Sequence, residues 1–107
     1  MEKNNKIYGL LGLARRAGKI SFGTESAKET IEKKEAKLVI LAENSSDRTK
    51  KNFKELCKSM QVEIRMVGTI ELLSQSIGQV NKAVLVIKDE NFAKEILKRI
   101  DGGEIIG

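Results

Sequence analysis

Apolar positions along the chain fall into two spacings, and the switches between them mark out its elements. Ile7, Leu10, Leu11 and Ala14 recur at i, i+3, i+4 and i+7, and Ala17 continues the stripe until Gly18, which predicts a first helix over about residues 5–17. Residues 20–22 form a short β-prone run between Gly18 and Gly23. Thr24 then reads as the N-cap of a helix reaching about residue 34, with a thin buried face of Ala27, Ile31 and Thr24. Residues 38–42 are continuously apolar, as expected of a central strand covered on both faces.

Residues 44–47 are rich in capping side chains, and Phe53, Leu56, Cys57 and Met60 behind them return to helical spacing. Val62, Ile64 and Met66 alternate with Glu63 and Arg65, the pattern of a half-exposed edge strand. Thr69 can cap a short helix carrying Ile70, Leu73 and Ile77 that stops at Gly78. Residues 83–87 are a second fully apolar strand. Asp89 opens a last helix with Phe92, Ala93, Ile96, Leu97 and Ile100 inward, ended by Gly102 and Gly103, and residues 104–107 read as a loosely held tail.

Helices and strands in this alternation predict an α/β fold, a three-layer α/β/α sandwich around a mixed sheet of about four strands. At 107 residues, with no repeat, linker or low-complexity segment, the chain reads as a single domain over residues 1–107. No apolar run approaches the ~18 residues of a membrane span, and residues 1–5 are polar with no signal-peptide core behind them. The expectation is a cytoplasmic protein with no membrane association.

Composition removes much of the common catalytic machinery. The chain has no histidine and one cysteine, Cys57, which excludes imidazole general bases, a Ser-His-Asp triad, paired-cysteine metal sites and an internal disulfide. Cys57 lies on an apolar helix face and reads as a buried structural thiol. The acids are interspersed with lysines on helix faces, the arrangement of a solvated ion-pair surface. No enzymatic activity, metal or cofactor is expected.

The charge balance permits a polyanionic partner, as it does an ordinary solvated surface, and its distribution tells more than its sum. Lys and Arg number 20 against 15 Asp and Glu, and they are clustered: Arg15, Arg16 and Lys19 crowd one turn, while Arg48, Lys50, Lys51, Lys54 and Lys58 crowd a later helix. With four aromatic residues, stacking on exposed bases is not the expected mode of recognition. Residues 12–20, GLARRAGKI, do not make a phosphate-cradling nucleotide loop, because Leu13 and Ile20 stand where that motif needs Gly and Ser or Thr. What remains is a helix end whose cations either complement the helix dipole or contact RNA phosphate. Gly23 and Thr24 admit a close backbone approach next to the free N–H groups of a helix start, with Glu25, Ser26 and Lys28 projecting toward whatever sits there. A plain strand-to-helix turn would look the same.

Three segments, GLARRAGKISFG, AKLVILAENSS and VGTIELLSQSIGQ, together resemble the kink-turn-binding ribosomal protein superfamily that includes the eukaryotic large-subunit protein "L thirty", and within it the bacterial YlxQ-like branch. The resemblance covers about residues 7–97. It implies a non-catalytic α/β/α sandwich whose three adjacent loops grip a bent RNA. By position, the residues reading tandem G·A pairs fall at Gly23, Thr24, Glu25 and Ser26. The backbone-contacting loop falls at Glu43, Asn44 and Ser45, and the loop over an extruded nucleotide at residues 77–82, with Ile77, Gly78, Gln79 and Val80 foremost. Relative to many members, Glu25 replaces Asn or Lys, Ser26 replaces Glu or Gln, and Glu29 replaces a lysine that Lys28 precedes by one position.

The leading expectation is therefore a monomeric protein that binds a structured, bent RNA of the translation apparatus. Arg15, Arg16, Lys19 and Lys28 would meet phosphates, and Gly23, Thr24 and Asn44 would allow close approach. The alternative is a module that docks, through a loop surface made acidic by Glu25 and Glu29, on a ribosomal or other ribonucleoprotein partner. A truncated relative of the RNA methyltransferases is the third reading, for which a chain of 107 residues has no catalytic domain.

Overall fold

The computed structural model describes residues 5–102. Its frame is set by the two apolar runs: β2 (Leu38–Leu41) and β4 (Val84–Ile87) are buried at every position and pair antiparallel at the centre of a four-stranded sheet ordered β1-β4-β2-β3. Strand β1 (Ile20–Phe22) adds antiparallel to the outer side of β4, and β3 (Ile64–Met66) adds parallel to β2. A parallel neighbour needs a crossover, and helix α3 (Asp47–Met60) supplies it.

Alternation along the strands sends side chains to two cores. Leu38, Ile40, Leu85, Ile87 and Ile20 face α1 (Asn5–Arg16), α4 (Ile70–Ser76) and α5 (Glu90–Asp101), where Ile7, Leu11, Ala14, Leu73, Ala93 and Ile96 meet them. Val39, Leu41, Val84 and Val86 face α2 (Thr24–Glu32) and α3, against Ala27, Ile31, Phe53 and Cys57. The result is the expected α/β/α sandwich. Each fully buried Leu or Ile contributes about 1.5–3 kcal/mol, so the two central strands dominate stability. Burial pushes the Cys57 thiol up to about 11, in keeping with a structural role. Gly12 lets α1 close on α4: a Cβ there would lie 3.0 Å from the Ser76 carbonyl oxygen.

The element ends depart from the periodicity reading in instructive ways. Helix α1 stops at Arg16, with Ala17 exposed, because Lys19 N–H bonds Ala14 O and Gly18 N–H bonds Arg15 O around Gly18 at φ 72°. Lys34 (φ 64°) ends α2 by the same pair of bonds, to Thr30 O from Glu35 and to Ile31 O from Lys34 itself. Gln61 (φ 58°) does so for α3 and Gly78 (φ 70°) for α4. Thr24 is not the N-cap of α2. That place falls to Gly23, Thr24 is exposed, and Thr30 takes the buried position, its hydroxyl donating to Ser26 O at 2.8 Å. Thr69 and Asp89 do cap α4 and α5, accepting from Leu72 N–H at 3.1 Å and Phe92 N–H at 2.9 Å.

Strand β3 is one of the two edges, as its alternation predicts, starting at Ile64 because the Val62 N–H turns back to Cys57 O. Arg65 ties it to the end of α5, donating to both Asp101 carboxylate oxygens at 2.9 Å and to Glu63 at 2.9 Å. Gly103 and the tail at residues 104–107 lie outside the described residues.

Candidate nucleic-acid interface

Because β1, β2 and β3 run the same way and β4 runs against them, the segments after the first three strands and before the fourth gather at one end of the sheet. Backbone bonds lace them together: Gly23 N–H to Val84 O at 3.0 Å, Ala42 N–H to Ala83 O at 2.9 Å, and Glu43 N–H to Gly68 O at 2.9 Å. The three loops expected from the sequence are thus one continuous surface.

At its middle lies Gly23, with φ 90° and ψ 155°, a conformation open to glycine and hardly to any other residue. It leaves α2 with no side-chain cap, whereas α3, α4 and α5 are each capped by a side chain. The first-turn N–H groups of α2 are therefore directed at whatever occupies this end. Thr24, Glu25, Ser26 and Lys28 are all exposed beside it.

Phe22, absent from the sequence-derived set, and Lys82, the last residue of the third loop, complete this surface. The half-buried ring of Phe22 has the Arg15 guanidinium carbon 5.1 Å from its centroid and the Lys82 ammonium 5.7 Å from it. Such cation–ring contacts hold flexible cations in place without neutralising them. The Lys82 ammonium would also lie 3.9 Å from a Cβ on Gly23, so a positive charge stands over the bare backbone at the start of α2. Phe22 read as a strand residue and Lys82 as a loop end, and neither has a local sequence signal of its role.

The loop over residues 77–82 is fixed from beneath by Ser74, only 2% exposed, whose hydroxyl accepts from Lys82 N–H at 2.7 Å and donates to Lys82 O at 3.2 Å. Gln79 N–H bonds the Ser74 carbonyl at 2.8 Å. This holds Val80 out in solvent at 80% exposure, with Gly78 exposed and Gln79 half-buried. Ile77 points the other way, 4% exposed within the core of α1, α4 and α5, so its side chain is not offered to a ligand. Ser45 is likewise turned in, its hydroxyl donating to Ala42 O at 2.7 Å. Glu43 and Asn44 are exposed, but both polar atoms of the Asn44 amide are engaged, by Ile70 N–H at 2.8 Å and Glu71 Oε1 at 3.2 Å.

The cationic turn divides. Arg15 reaches the loop end through Phe22, and Arg16 lies back along α1, its guanidinium 3.8 Å from where a Gly12 Cβ would sit. Lys19 precedes β1 and sits at the opposite end of the sheet, where its carbonyl accepts from Lys88 N–H at 2.8 Å. It does not belong with Gly23, Asn44 and Val80. Sequence adjacency suggested one cluster; the strand between Lys19 and Gly23 separates them by about 13 Å. Among the described residues no group of Asp, Glu and Cys is arranged to hold a metal ion, and no helix is long and apolar enough to cross a membrane.

The model of the ribosomal protein L7Ae/L30e/S12e/Gadd45 family matches residues 5–97. The chain belongs to that family. It is 33% identical over 94 residues to the RNA-binding protein YlxQ of Bacillus subtilis, covering 88% of this chain and 94% of the relative. It is 35% identical over 97 residues to the RNA-binding protein YlxQ of Enterococcus faecium, covering 91% and 93%. Among solved structures, a Bacillus halodurans protein of unknown function superposes with a TM-score of 0.86 at 32% identity, covering 90% of this chain and 97% of that one. The Giardia lamblia 15.5 kD RNA-binding protein superposes with a TM-score of 0.78 over 95% and 90%. At 19% identity, that last likeness is one of fold.

Proposed function

We propose that this protein is a non-catalytic RNA-binding protein that seats a bent, kink-turn-like RNA on the loop end of its sheet, in the translation apparatus of the cytoplasm and as a monomer. The observation that carries this reading is the bracketing of Phe22 by Arg15 and Lys82 beside the uncapped start of α2. It places two cations and a set of backbone donors where a phosphate backbone can approach to van der Waals distance. Family membership and two relatives named RNA-binding proteins support it. In this reading Gly23, Thr24 and Ser26 meet base edges and backbone, Glu43 faces the same ligand, and Val80 covers an unstacked base. Asn44, Ser45 and Ile77 shape the loops from within.

The test is binding of a short kink-turn RNA and of the same RNA with its tandem G·A pairs replaced, at low and near-physiological salt. Loss of binding on replacement supports kink-turn reading. Equal, salt-sensitive binding to both would leave RNA binding standing and remove the kink-turn.

One observation favours a second reading. A groove of about 610 Å³ between α2 and α3 has Phe53 and Leu56 in its lining and acids at Glu25 and Glu55. It offers a ribosomal or other ribonucleoprotein partner an apolar seat whose rim carries Lys28 beside the two acids. Glu25→Lys separates the readings: an RNA binder gains RNA affinity, and a docking module loses its protein partner.

A further inference from the structure

The sheet register assembles, at the end opposite the loops, a row of lysines for which the loop-end reading has no use. Ile20 and Leu38 are both paired with Ile87. One step further out on the three neighbouring strands stand Lys19, Lys88 and Lys37. Lys88 N–H bonds Lys19 O at 2.8 Å and Lys37 N–H bonds Ile87 O at 2.8 Å, so Lys88 lies between the other two. Lys19 and Lys37 are exposed and Lys88 is half-buried. None of the three makes an ion pair or side-chain hydrogen bond among the described residues. Lys34, held in the left-handed region just past α2, adds a fourth cation nearby in the chain.

Like charges set directly across neighbouring strands destabilise a sheet. Asp89, which caps α5 through its Oδ2, and Glu35, two residues before Lys37, stand in the neighbouring sequence, but among the described residues neither is ion-paired to a lysine of the row. Strands lie about 4.8 Å apart, so a row across three of them spans about 10 Å. That span fits successive phosphates of a nucleic-acid backbone. No aromatic or large apolar side chain is exposed in the row, so nothing there would insert into a bilayer.

We propose that the lysine row of Lys19, Lys88 and Lys37 is a second RNA surface that holds the phosphate backbone of a helical RNA segment, letting one protein bridge two segments from opposite ends of its sheet. This rests on the RNA-binding reading above and adds a site to it.

The test measures anisotropy of a labelled RNA duplex of about 16 base pairs and, separately, of a short kink-turn RNA. Each is titrated from about 50 to about 200 mM salt. Lys19→Gln/Lys37→Gln/Lys88→Gln is expected to weaken duplex binding at least about tenfold at low salt and to flatten its log-log salt slope by about 2–3, while kink-turn binding stays. Arg15→Gln/Lys82→Gln is expected to do the reverse. Lys88→Glu guards against a folding artefact. A carboxylate between two lysines should raise the melting temperature while lowering duplex affinity. Duplex binding that follows Arg15 and Lys82 and ignores the row overturns the proposal. So does row-dependent binding to anionic phospholipid vesicles without row-dependent binding to the duplex. If the kink-turn RNA fails to bind while the duplex still depends on the row, the kink-turn reading falls and the second surface stands.

Discussion

Asn44 and Ile70, 26 residues apart, are joined by a hydrogen bond from the Ile70 N–H to Asn44 Oδ1 at 2.8 Å. The other half of the same amide donates to Glu71 Oε1 at 3.2 Å. The loop after β2 is thereby latched to the start of α4, where Thr69 meets the Leu72 N–H. A residue that looked from the sequence like an RNA contact is, in the fold, the clasp that holds two loops of the candidate interface in register.

Asn44→Ala should therefore act first on stability. It removes an acceptor at a helix start and leaves the Ile70 N–H to solvent, a loss of about 1–2 kcal/mol measurable by denaturant unfolding. Asn44→Asp keeps the acceptor but turns a carboxylate toward Glu71. It should fall in between at neutral pH, and an Ala variant as stable as the parent would remove the clasp.

Phe22, Arg15 and Lys82 should behave as one unit in RNA binding. If the interface neutralises about six phosphates, the log-log salt slope is about −4 to −5, and Arg15→Ala or Lys82→Ala should each lower its magnitude by about 0.9. Phe22→Leu leaves both charges in place and frees them, so it should weaken affinity several-fold with the slope nearly unchanged. A slope that does not move in either Ala variant would show that these cations do not meet phosphate.

The parts of this fold legible in the sequence are those where one local pattern decides the outcome. The continuous apolar runs at residues 38–42 and 83–87 read as buried strands and hold them at 38–41 and 84–87, and Thr69 and Asp89 announce their helices because a capping side chain acts on its own next turn. Left-handed helix ends were legible at Gly18 and Gly78 and not at Lys34 and Gln61, exposed residues that the helix-closing backbone bonds hold in a conformation their type disfavours. The site was legible to the level of its loops. Which side chains face out was not, since Ser45 and Ile77 are turned inward by contacts with Ala42 and the core. Lys19 fell at the end away from the loops because sheet register, a long-range property, decides which end of the molecule it occupies.

Tyr8 and Gly68 should be coupled. The Tyr8 hydroxyl is buried without a hydrogen-bond partner among the described residues, and a Cβ on Gly68 would meet it at 2.6 Å. Burial, and then the charge of Glu43, holds the phenol above its ordinary value of 10.0. Tyr8→Phe removes an unsatisfied polar group and should be neutral or stabilising by about 1 kcal/mol. Gly68→Ala, at φ 66°, should cost about 2–3 kcal/mol, and less in the Tyr8→Phe background, where only the backbone part of the penalty remains. Strict additivity in that double-mutant cycle would show that the hydroxyl and the glycine do not touch.

Arg65 and Asp101 should give the fold a measurable acid limb. Hydrogen bonds from the Arg65 guanidinium, and then its charge, hold the Asp101 carboxyl below its ordinary 3.8, while the same contacts raise Arg65. A carboxyl whose value is depressed in the fold adds stability that is fully present above 3.8 and is lost as pH falls through the lowered folded value. Asp101→Asn should therefore lower the melting temperature by a constant amount through neutral pH, with the gap to the parent closing only below about pH 4. Because Asp101 is exposed, the gap should also shrink in high salt. Edge strand β3 should show it most directly, as faster backbone amide exchange at Ile64–Met66 in the variant. A gap that persists unchanged in strong acid would mean that the pair does not act through its charge.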